Sequence, residues 1–321
     1  MAISKKLTLN SSGKINLYLN VSKDLRPDGY HEIKSIMQSI SISDVLDFEV
    51  SQNYGLKHTD EGNENNKGSV NDSLDTSSIT ITCNTIDIPL NEKNLVHKAA
   101  YLILKRFNLE KKYKIKINIK KTIPVGAGLA GGSSNAAATL LALDRIFKLG
   151  LTEDNLKAMG NQVGSDVPFC ISGGTALVEG KGEIISRLPD LPFYWVVVAI
   201  NGKKFSSGDV YDKFDLIGKE KKPVYGSLVK NLVRKNYMDF FTELDNDLER
   251  VVVYEDKMVT ILKNKALELG AFASQMTGSG PAIFAFCDDL KIARRVHAGL
   301  GELSNKAFLT YTTPFSQSFL N

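Results

Sequence analysis

The chain has 321 residues, of which 43% are hydrophobic and 24% charged, and a formal net charge of +4. That length suggests about two domains with a substantial core, and so mild a charge suits an anionic small molecule while giving no argument for nucleic acid or a membrane as partner. Cys83, Cys170 and Cys287 are far apart and odd in number, which sets aside a disulfide framework or a zinc site and leaves buried small hydrophobes in a reducing compartment. The segment MAISKKLTLNSSGK has no apolar core of the signal-peptide kind, and no run is apolar enough to span a bilayer. A cytoplasmic protein is expected.

In chain order, Ile15, Leu17, Leu19 and Val21 alternate with Lys14, Asn16, Tyr18 and Asn20. Period two predicts a half-buried strand with Lys14, Asn16 and Tyr18 on one open face. That face is either solvated or a polar-aromatic wall for a ligand. Arg26-Pro27-Asp28-Gly29 is a turn signal, and Tyr30 and His31 follow it, placed to stack on and hydrogen-bond a flat ligand or simply to pack. Val45–Val50 alternates again. From Ser51 to Ser78 the chain is nearly devoid of apolar residues and reads as a long loop or insertion. Ile79–Cys83 resumes a strand. Leu95–Phe107 is a helix pattern with Asn94 as its cap, and Lys114–Lys121 is a strand with a basic face whose Lys120 and Lys121 lie near the next loop.

That loop is Pro124–Ala138, PVGAGLAGGSSNAAA. A glycine-rich turn leading into a helix near Ser133 and Ser134 aims free N–H groups and a positive dipole end at its occupant, for which a phosphate is the natural choice. Gly126 and Gly131 have Walker A spacing, but Gly132 stands where that loop requires Lys. Gly126, Gly128 and Gly131 also match the dinucleotide fingerprint, which further requires an acidic residue at the end of a second strand about 20 residues on; Asp154 falls in a helical stretch instead. A tight turn with close helix packing and no ligand is the remaining alternative.

Beyond it, Thr152 caps a helix that ends near Gly164. Asp166, between Gly164-Ser165 and Val167-Pro168-Phe169, is either a helix cap or a partly desolvated general base or metal ligand. Glycines at 173–174 and 180–182 bracket a strand, and Tyr194–Ile200 is a buried strand. Phe205–Tyr211 enters a helix, and Lys219–Pro223 is a charged linker. Helical patterns cover Ser227–Tyr237, Asp239–Val252 and Glu255–Leu269. A second glycine loop, Met276–Pro281, runs into the strand Ala282–Phe286, before a helix at Lys291–Leu303 and a strand at Phe308–Thr312. The reading is α+β, with domains at 1–180 and 181–321 and a last strand that returns to the first.

GKINLYLNV (Gly13–Val21), PVGAGLAGGSSNAAA and TGSGPAIFAF (Thr277–Phe286) resemble the GHMP small-molecule kinases, and RPDGYHEI (Arg26–Ile33) with GSDVPF (Gly164–Phe169) resemble the members that act on a cytidine diphosphate-linked alcohol. The likeness spans most of the chain. It departs at the polar stretch Ser51–Ser78 and at Ala130, where glycine is frequent in the family. The resemblance implies an N-terminal ribosomal-protein-like β-α domain, a C-terminal ferredoxin-like α/β plait and an active site in the cleft between them. It implies ATP-dependent phosphorylation of a hydroxyl, with Mg²⁺, by a monomer or weak homodimer. Asp166 matches the catalytic base and Lys14 the charge stabiliser, roles that suit phosphoryl transfer, which needs positioning and neutralisation. The implied ATP contacts are Pro124, Val125, Gly126, Ala127, Gly128, Leu129, Ala130, Gly131, Gly132, Ser133 and Ser134, with Asn94 and Lys121 beside them; Ser133 or Ser134, and Ser134 by preference, would meet Mg²⁺. For the acceptor the implied contacts are Asn16, Tyr30, His31, Tyr211, Thr277, Gly278 and Ser279, with Tyr30 and Tyr211 sandwiching the base and His31 on its polar edge. A kinase of the same fold for homoserine or mevalonate, and a nucleotide-binding module without activity, are the competing expectations.

Overall fold

β1 (Lys5–Leu25) and β2 (His31–Gln52) pair antiparallel along nearly their whole length, and the other elements are fastened to this hairpin. The computed structural model describes residues 4–53, 78–201, 205–217 and 224–320. Most of the polar stretch Ser51–Ser78 and the linker Lys219–Pro223 therefore lie outside the described residues.

β1 is long enough to serve three cores. Leu7 and Leu9 enter one, Ile15 and Leu17 a second, Leu19 and Val21 a third. The expected open face is closed: Lys14, Asn16 and Tyr18 are all buried. Strand period tells which side chains share a face, but whether that face meets water depends on what later chain covers it. Register shifts at Ser12/Gly13 and Asn16/Tyr18 bracket Lys14, and such irregularities bend a strand and re-aim its side chains.

The first sheet continues from β2 to β4 (Tyr113–Lys120) and then to β3 (Ile79–Cys83), parallel to β4. At the other end of β2 lie β5 (Thr175–Gly180) and β6 (Ile184–Arg187). A boundary at residue 180 thus cuts a hairpin, and the first sheet extends to Arg187. Helices α1 (Leu95–Arg106), α2 (Gly131–Phe147), α3 (Glu153–Val163) and α4 (Val167–Ser172) bury Ala99, Ile103, Leu140 and Val163 against Leu9, Leu46, Phe48 and Ile117.

β7 (Trp195–Ile200), β9 (Ala273–Met276), β10 (Ile283–Cys287) and β11 (Lys306–Tyr311) form a second, antiparallel sheet in the order β11-β7-β10-β9. With it go α5 (Ser207–Ile217), α6 (Tyr225–Val233), α7 (Tyr237–Thr242), α8 (Glu249–Glu255), α9 (Met258–Glu268) and α10 (Leu290–Leu303). The helix expected over Asp239–Val252 is broken. β8 (Asp245–Asn246) instead pairs in parallel with Tyr18 and Leu19 of β1. Asp247 accepts from Asn20 Nδ2 (2.8 Å) and the Val21 N–H (2.9 Å), and Asn246 Nδ2 donates to the carbonyls of Met276 (3.0 Å) and Gly278 (2.9 Å). Those bonds satisfy buried polar groups that a helix would have left unpaired. β12 (Gln317–Phe319) comes back to pair with β1.

Candidate active site

A cavity of about 770 Å³ is lined by β1, the loop at 124–133, Ser165-Asp166, one side of α5 from Ser207 to Asp215 and Gly278-Ser279. Pro124 through Gly132 all face it, and so do Ser133, Lys14, Asn16, Tyr30, His31 and Tyr211. The volume lies within the range of sites for drug-sized ligands.

α2 begins at Gly131, two residues before the serines. Its N-cap is Ala130, left-handed at φ 54°, with no side-chain cap. The first intrahelical donor is the Ser134 N–H, which bonds the Ala130 carbonyl, so the N–H groups of Gly131, Gly132 and Ser133 precede the ladder and are available to an anion. The two glycine loops press together: a Cβ on Gly128 would fall 2.3 Å from the Thr277 carbonyl oxygen. The Lys14 N–H donates to the Leu129 carbonyl at 3.1 Å, fastening the loop to β1.

Lys14 Nζ stands 2.6 Å from Asn16 Oδ1 and 3.6 Å from Asp166 Oδ2. The ammonium is nearly buried, at 4% exposure, whereas Asp166 is 32% exposed toward the cavity. Asp166 occupies the N-cap position of α4, yet its carboxylate makes no capping bond, so the helix-cap alternative fails. Asn16 Nδ2 donates to Ser35 Oγ at 2.8 Å, which holds Asn16 and through it Lys14. Burial, then the negative charge of Asp166, push the Tyr211 phenol far above its usual range. The phenol therefore stays protonated. The same two causes push up the Cys170 thiol beneath the site, which is consequently inert.

Two expected contacts, those of Ser134 and Thr277, need correction. Ser134 is fully buried; its hydroxyl donates to the Ser12 carbonyl (2.6 Å) and accepts from Ser11 (2.8 Å) and Gln317 (3.0 Å), so no lone pair is left for a metal. Ser133, half-buried on the cavity wall, is the serine in position. Thr277 has no exposed surface; its Oγ1 accepts from the Asn16 N–H (2.9 Å) and reaches the Gly128 carbonyl (3.4 Å), so it joins β1 to the glycine loop rather than touching a ligand. Lys121 Nζ donates to Asp44 (2.6 Å) and the Ile123 carbonyl (2.7 Å). Asn94 accepts from the Val96 N–H (2.9 Å) and donates to the Pro89 carbonyl (2.6 Å). Lys121 and Asn94 both border the cavity, and each keeps a donor hydrogen beyond those bonds.

At the far end, Tyr211 stacks directly on His31, centroids 5.5 Å apart at 26°. Tyr30, 53% exposed, stands apart with the Lys181 ammonium 4.8 Å over its ring. Gly278 and Ser279 line the cavity, and Ser279 bonds Ser207 of α5 at 2.9 Å.

Comparison with known proteins decides what this cavity belongs to. Residues 94–174 match the model for the GHMP kinases N terminal domain, and residues 228–305 the model for GHMP kinases C terminal. The 4-diphosphocytidyl-2-C-methyl-D-erythritol kinase of Nostoc punctiforme is 35% identical over 309 residues, 91% of this chain and 90% of that protein. The enzyme of the same name from Clostridium acetobutylicum is 36% identical over 306 residues, covering 95% of this chain and 100% of the other. The chain belongs to the 4-diphosphocytidyl-2-C-methyl-D-erythritol kinases of the GHMP family. It is an ATP-dependent small-molecule kinase.

Solved structures agree. A crystal structure of 4-(cytidine 5'-diphospho)-2C-methyl-D-erythritol kinase superposes with a TM-score of 0.72 at 25% identity, covering 97% of this chain and 99% of the other. A homoserine kinase from Cytophaga hutchinsonii also reaches 0.72, at 15% identity and with 98% and 97% coverage. This second likeness shows the fold alone. The first sheet with α1–α4 is thus the ribosomal-protein-like domain of a GHMP kinase, and the second sheet with its helices the ferredoxin-like one.

Sequence reasoning missed Asp44. It is wholly buried, and it accepts from the Thr122 N–H (2.7 Å), the Ile123 N–H (2.8 Å), Lys121 Nζ (2.6 Å) and Asn135 Nδ2 (2.9 Å). Its signal was present: Asp44 is in phase with Ile42, Leu46 and Phe48, the inward set of β2, and an acid on the inward face must be paired. Asn246 carried no such signal, because a two-residue strand has no periodicity.

Proposed function

We propose that the chain transfers the γ-phosphoryl group of ATP to the 2-hydroxyl of 4-diphosphocytidyl-2-C-methyl-D-erythritol, the compound named in its relatives. The observation that carries the reading is the Lys14–Asp166 pair, set beside the uncapped N-terminus of α2 with both residues on the cavity wall and the carboxylate the more exposed of the two. The first sheet with α1–α4 supplies the donor side, and α5 and the loop at 276–281 join Asn16, Tyr30 and His31 on the acceptor side. The loop N–H groups hold the ATP phosphates. Asp166 accepts the hydroxyl proton as the oxygen attacks phosphorus in line with the departing ADP oxygen. Lys14, held by Asn16, stabilises the negative charge that builds on the acceptor oxygen and the transferring group.

Among the described residues no group of three or more His, Cys, Asp or Glu side chains could hold a metal ion. The site therefore fits a Mg²⁺ held mainly by phosphate oxygens and water, with the Ser133 hydroxyl and Asp166 as its protein neighbours. When bound it would neutralise phosphate charge. Tyr30, on the face opposite Lys181, together with the His31–Tyr211 stack, would receive the cytosine ring. No helix among the described residues is long and apolar enough to cross a membrane. The reading places the enzyme in the cytoplasm, as a monomer or weak homodimer.

The test is ATP consumption with Mg²⁺ and this acceptor, read by ADP release and by a new phosphomonoester signal in ³¹P NMR. Turnover with this acceptor and none with homoserine or mevalonate is expected. ATP binding without phosphorylation of any of the three would overturn the reading in favour of a non-catalytic module.

A further inference from the structure

The turn at 277–280 stands against the Lys14 site. The Gly280 N–H donates to the Thr277 carbonyl at 3.0 Å, and of the two residues between them only Gly278 has a positive φ, 57°. That is the pattern of a type II′ turn. A Cβ built on Gly278 would lie 3.4 Å from Asn16 Oδ1, the oxygen that holds Lys14 Nζ. Gly278 and Ser279 line the cavity, and among the described residues neither of their N–H groups has a hydrogen-bond acceptor.

The peptide between them is gripped from the buried side. Asn246 is 2% exposed and does not reach the cavity wall. It donates one amide hydrogen to the Gly278 carbonyl (2.9 Å) and the other to the Met276 carbonyl (3.0 Å), while its oxygen accepts from the Leu248 N–H (3.0 Å). Its own backbone is anchored on β1 opposite Leu19, whose carbonyl accepts from the Asp247 N–H at 2.9 Å. The C=O and N–H of a trans peptide point opposite ways. With its carbonyl drawn inward to Asn246, the 278–279 peptide turns its N–H toward the cavity. Turning that peptide over would convert type II′ into I′, put a positive φ on Ser279 and present an acceptor where an anion is to bind.

We propose that Asn246 is a positioning residue for phosphoryl transfer. It fixes the 278–279 peptide so that the Ser279 N–H donates to the transferring phosphoryl group, joining the N–H groups at the head of α2. This inference rests on the reading above that the ATP phosphates lie at α2 and the acceptor hydroxyl at Asp166. A donor set in advance toward charge that grows in the transition state lowers the barrier without having to reorient.

The test compares three variants by steady-state kinetics: Asn246→Ala; Ser279→Pro, which deletes the N–H; and Ser279→Ala, which keeps it. Loss of one such donor lowers kcat by about 10²-fold, so the alanine variant at 279 is expected to turn over at least about thirtyfold faster than the proline one. In Asn246→Ala the peptide is free to turn over, and kcat should fall about tenfold with both KM values within about threefold. Because Asn246 acts through the Ser279 N–H, the Asn246→Ala/Ser279→Pro double variant should be within about twofold of Ser279→Pro alone. Asn246→Ser, which keeps one donor, replaces Asn246→Ala if that chain does not fold, with the same non-additivity expected. Losses that multiply, KM rising as far as kcat falls, or equal turnover of the two variants at 279 would each overturn the proposal. A calorimetric arm measures a non-hydrolysable ATP analogue against ADP: the Asn246 and Ser279→Pro variants should bind the analogue about fivefold more weakly and ADP within about twofold of normal. Equal losses for both nucleotides would overturn the proposal. Failure of the unaltered enzyme to phosphorylate the cytidine acceptor would count against the reading above alone, since this binding arm still decides the role of Asn246.

Discussion

Two lysine–aspartate pairs border one cavity, and they differ in almost every physical respect. Lys121 and Asp44 sit 2.6 Å apart at 7% and 0% exposure, with all of the carboxylate's remaining capacity taken by two backbone N–H groups and Asn135. Lys14 and Asp166 are 3.6 Å apart, and Asp166 keeps an open side with no capping bond. A buried pair whose carboxylate is saturated fixes structure, because every lone pair of the acid is committed. An unsaturated pair facing a cavity retains capacity to receive a proton and to stabilise new charge. The proposed chemistry therefore rests on Lys14–Asp166, and the shape of the glycine-rich loop on Lys121–Asp44.

The largest effect expected of this contrast is on turnover. Asp166→Asn should lower kcat by about 10³-fold, within the 10²–10⁴ range of general-base loss, and leave the ATP Kd and Tm nearly unchanged. Steady-state kinetics beside a thermal melt check this. Lys14→Met should cost about 10²–10³-fold in kcat, the scale of losing one charge-stabilising donor. Asp44→Asn should behave oppositely: breaking a buried pair by removing one partner costs about 3–5 kcal/mol of stability. Denaturant unfolding should register it, with the folded fraction still turning over. Catalytic loss without destabilisation at Asp44 would reverse the assignment of the two pairs.

Smaller effects come from the ties between them. Thr277→Val keeps the shape but leaves the Asn16 N–H without its acceptor. A buried unpaired donor costs about 1–3 kcal/mol, and kcat should drop about tenfold through the displaced Asn16 and Lys14. At the head of α2, Ala130 is left-handed, a conformation that disfavours a Cβ. Ala130→Gly should therefore gain about 1 kcal/mol in unfolding free energy with ATP affinity retained; a loss of stability would show that Ala130 is not strained.

The contrast also explains what the sequence could and could not reveal. Lys14 and Asp166 were legible because the residues around them form motifs whose spacing carries meaning. The strands and capped helices of the first sheet were legible from period and cap chemistry, as at Asn94 and Thr152, whose side chains do cap their helices. Ser133 and Ser134 could not be told apart. Neighbours on a helix point about 100° apart, and only the packing of Ser11 and Gln317 shows which one faces inward. That Lys121 also pairs with Asp44, 77 residues earlier in the chain, was hidden in an alternating strand. The closed face of β1 and the break at Asp245–Asn246 depend on long-range pairing, which local pattern does not encode.

The most direct test of the central claim is a double-mutant cycle on kcat for Lys14→Met and Asp166→Asn. Groups that act as one unit are strongly non-additive. The account predicts that the double variant is no more than about tenfold slower than Asp166→Asn alone. A double variant whose loss equals the product of the two single losses would contradict it, because the two residues would then contribute independently.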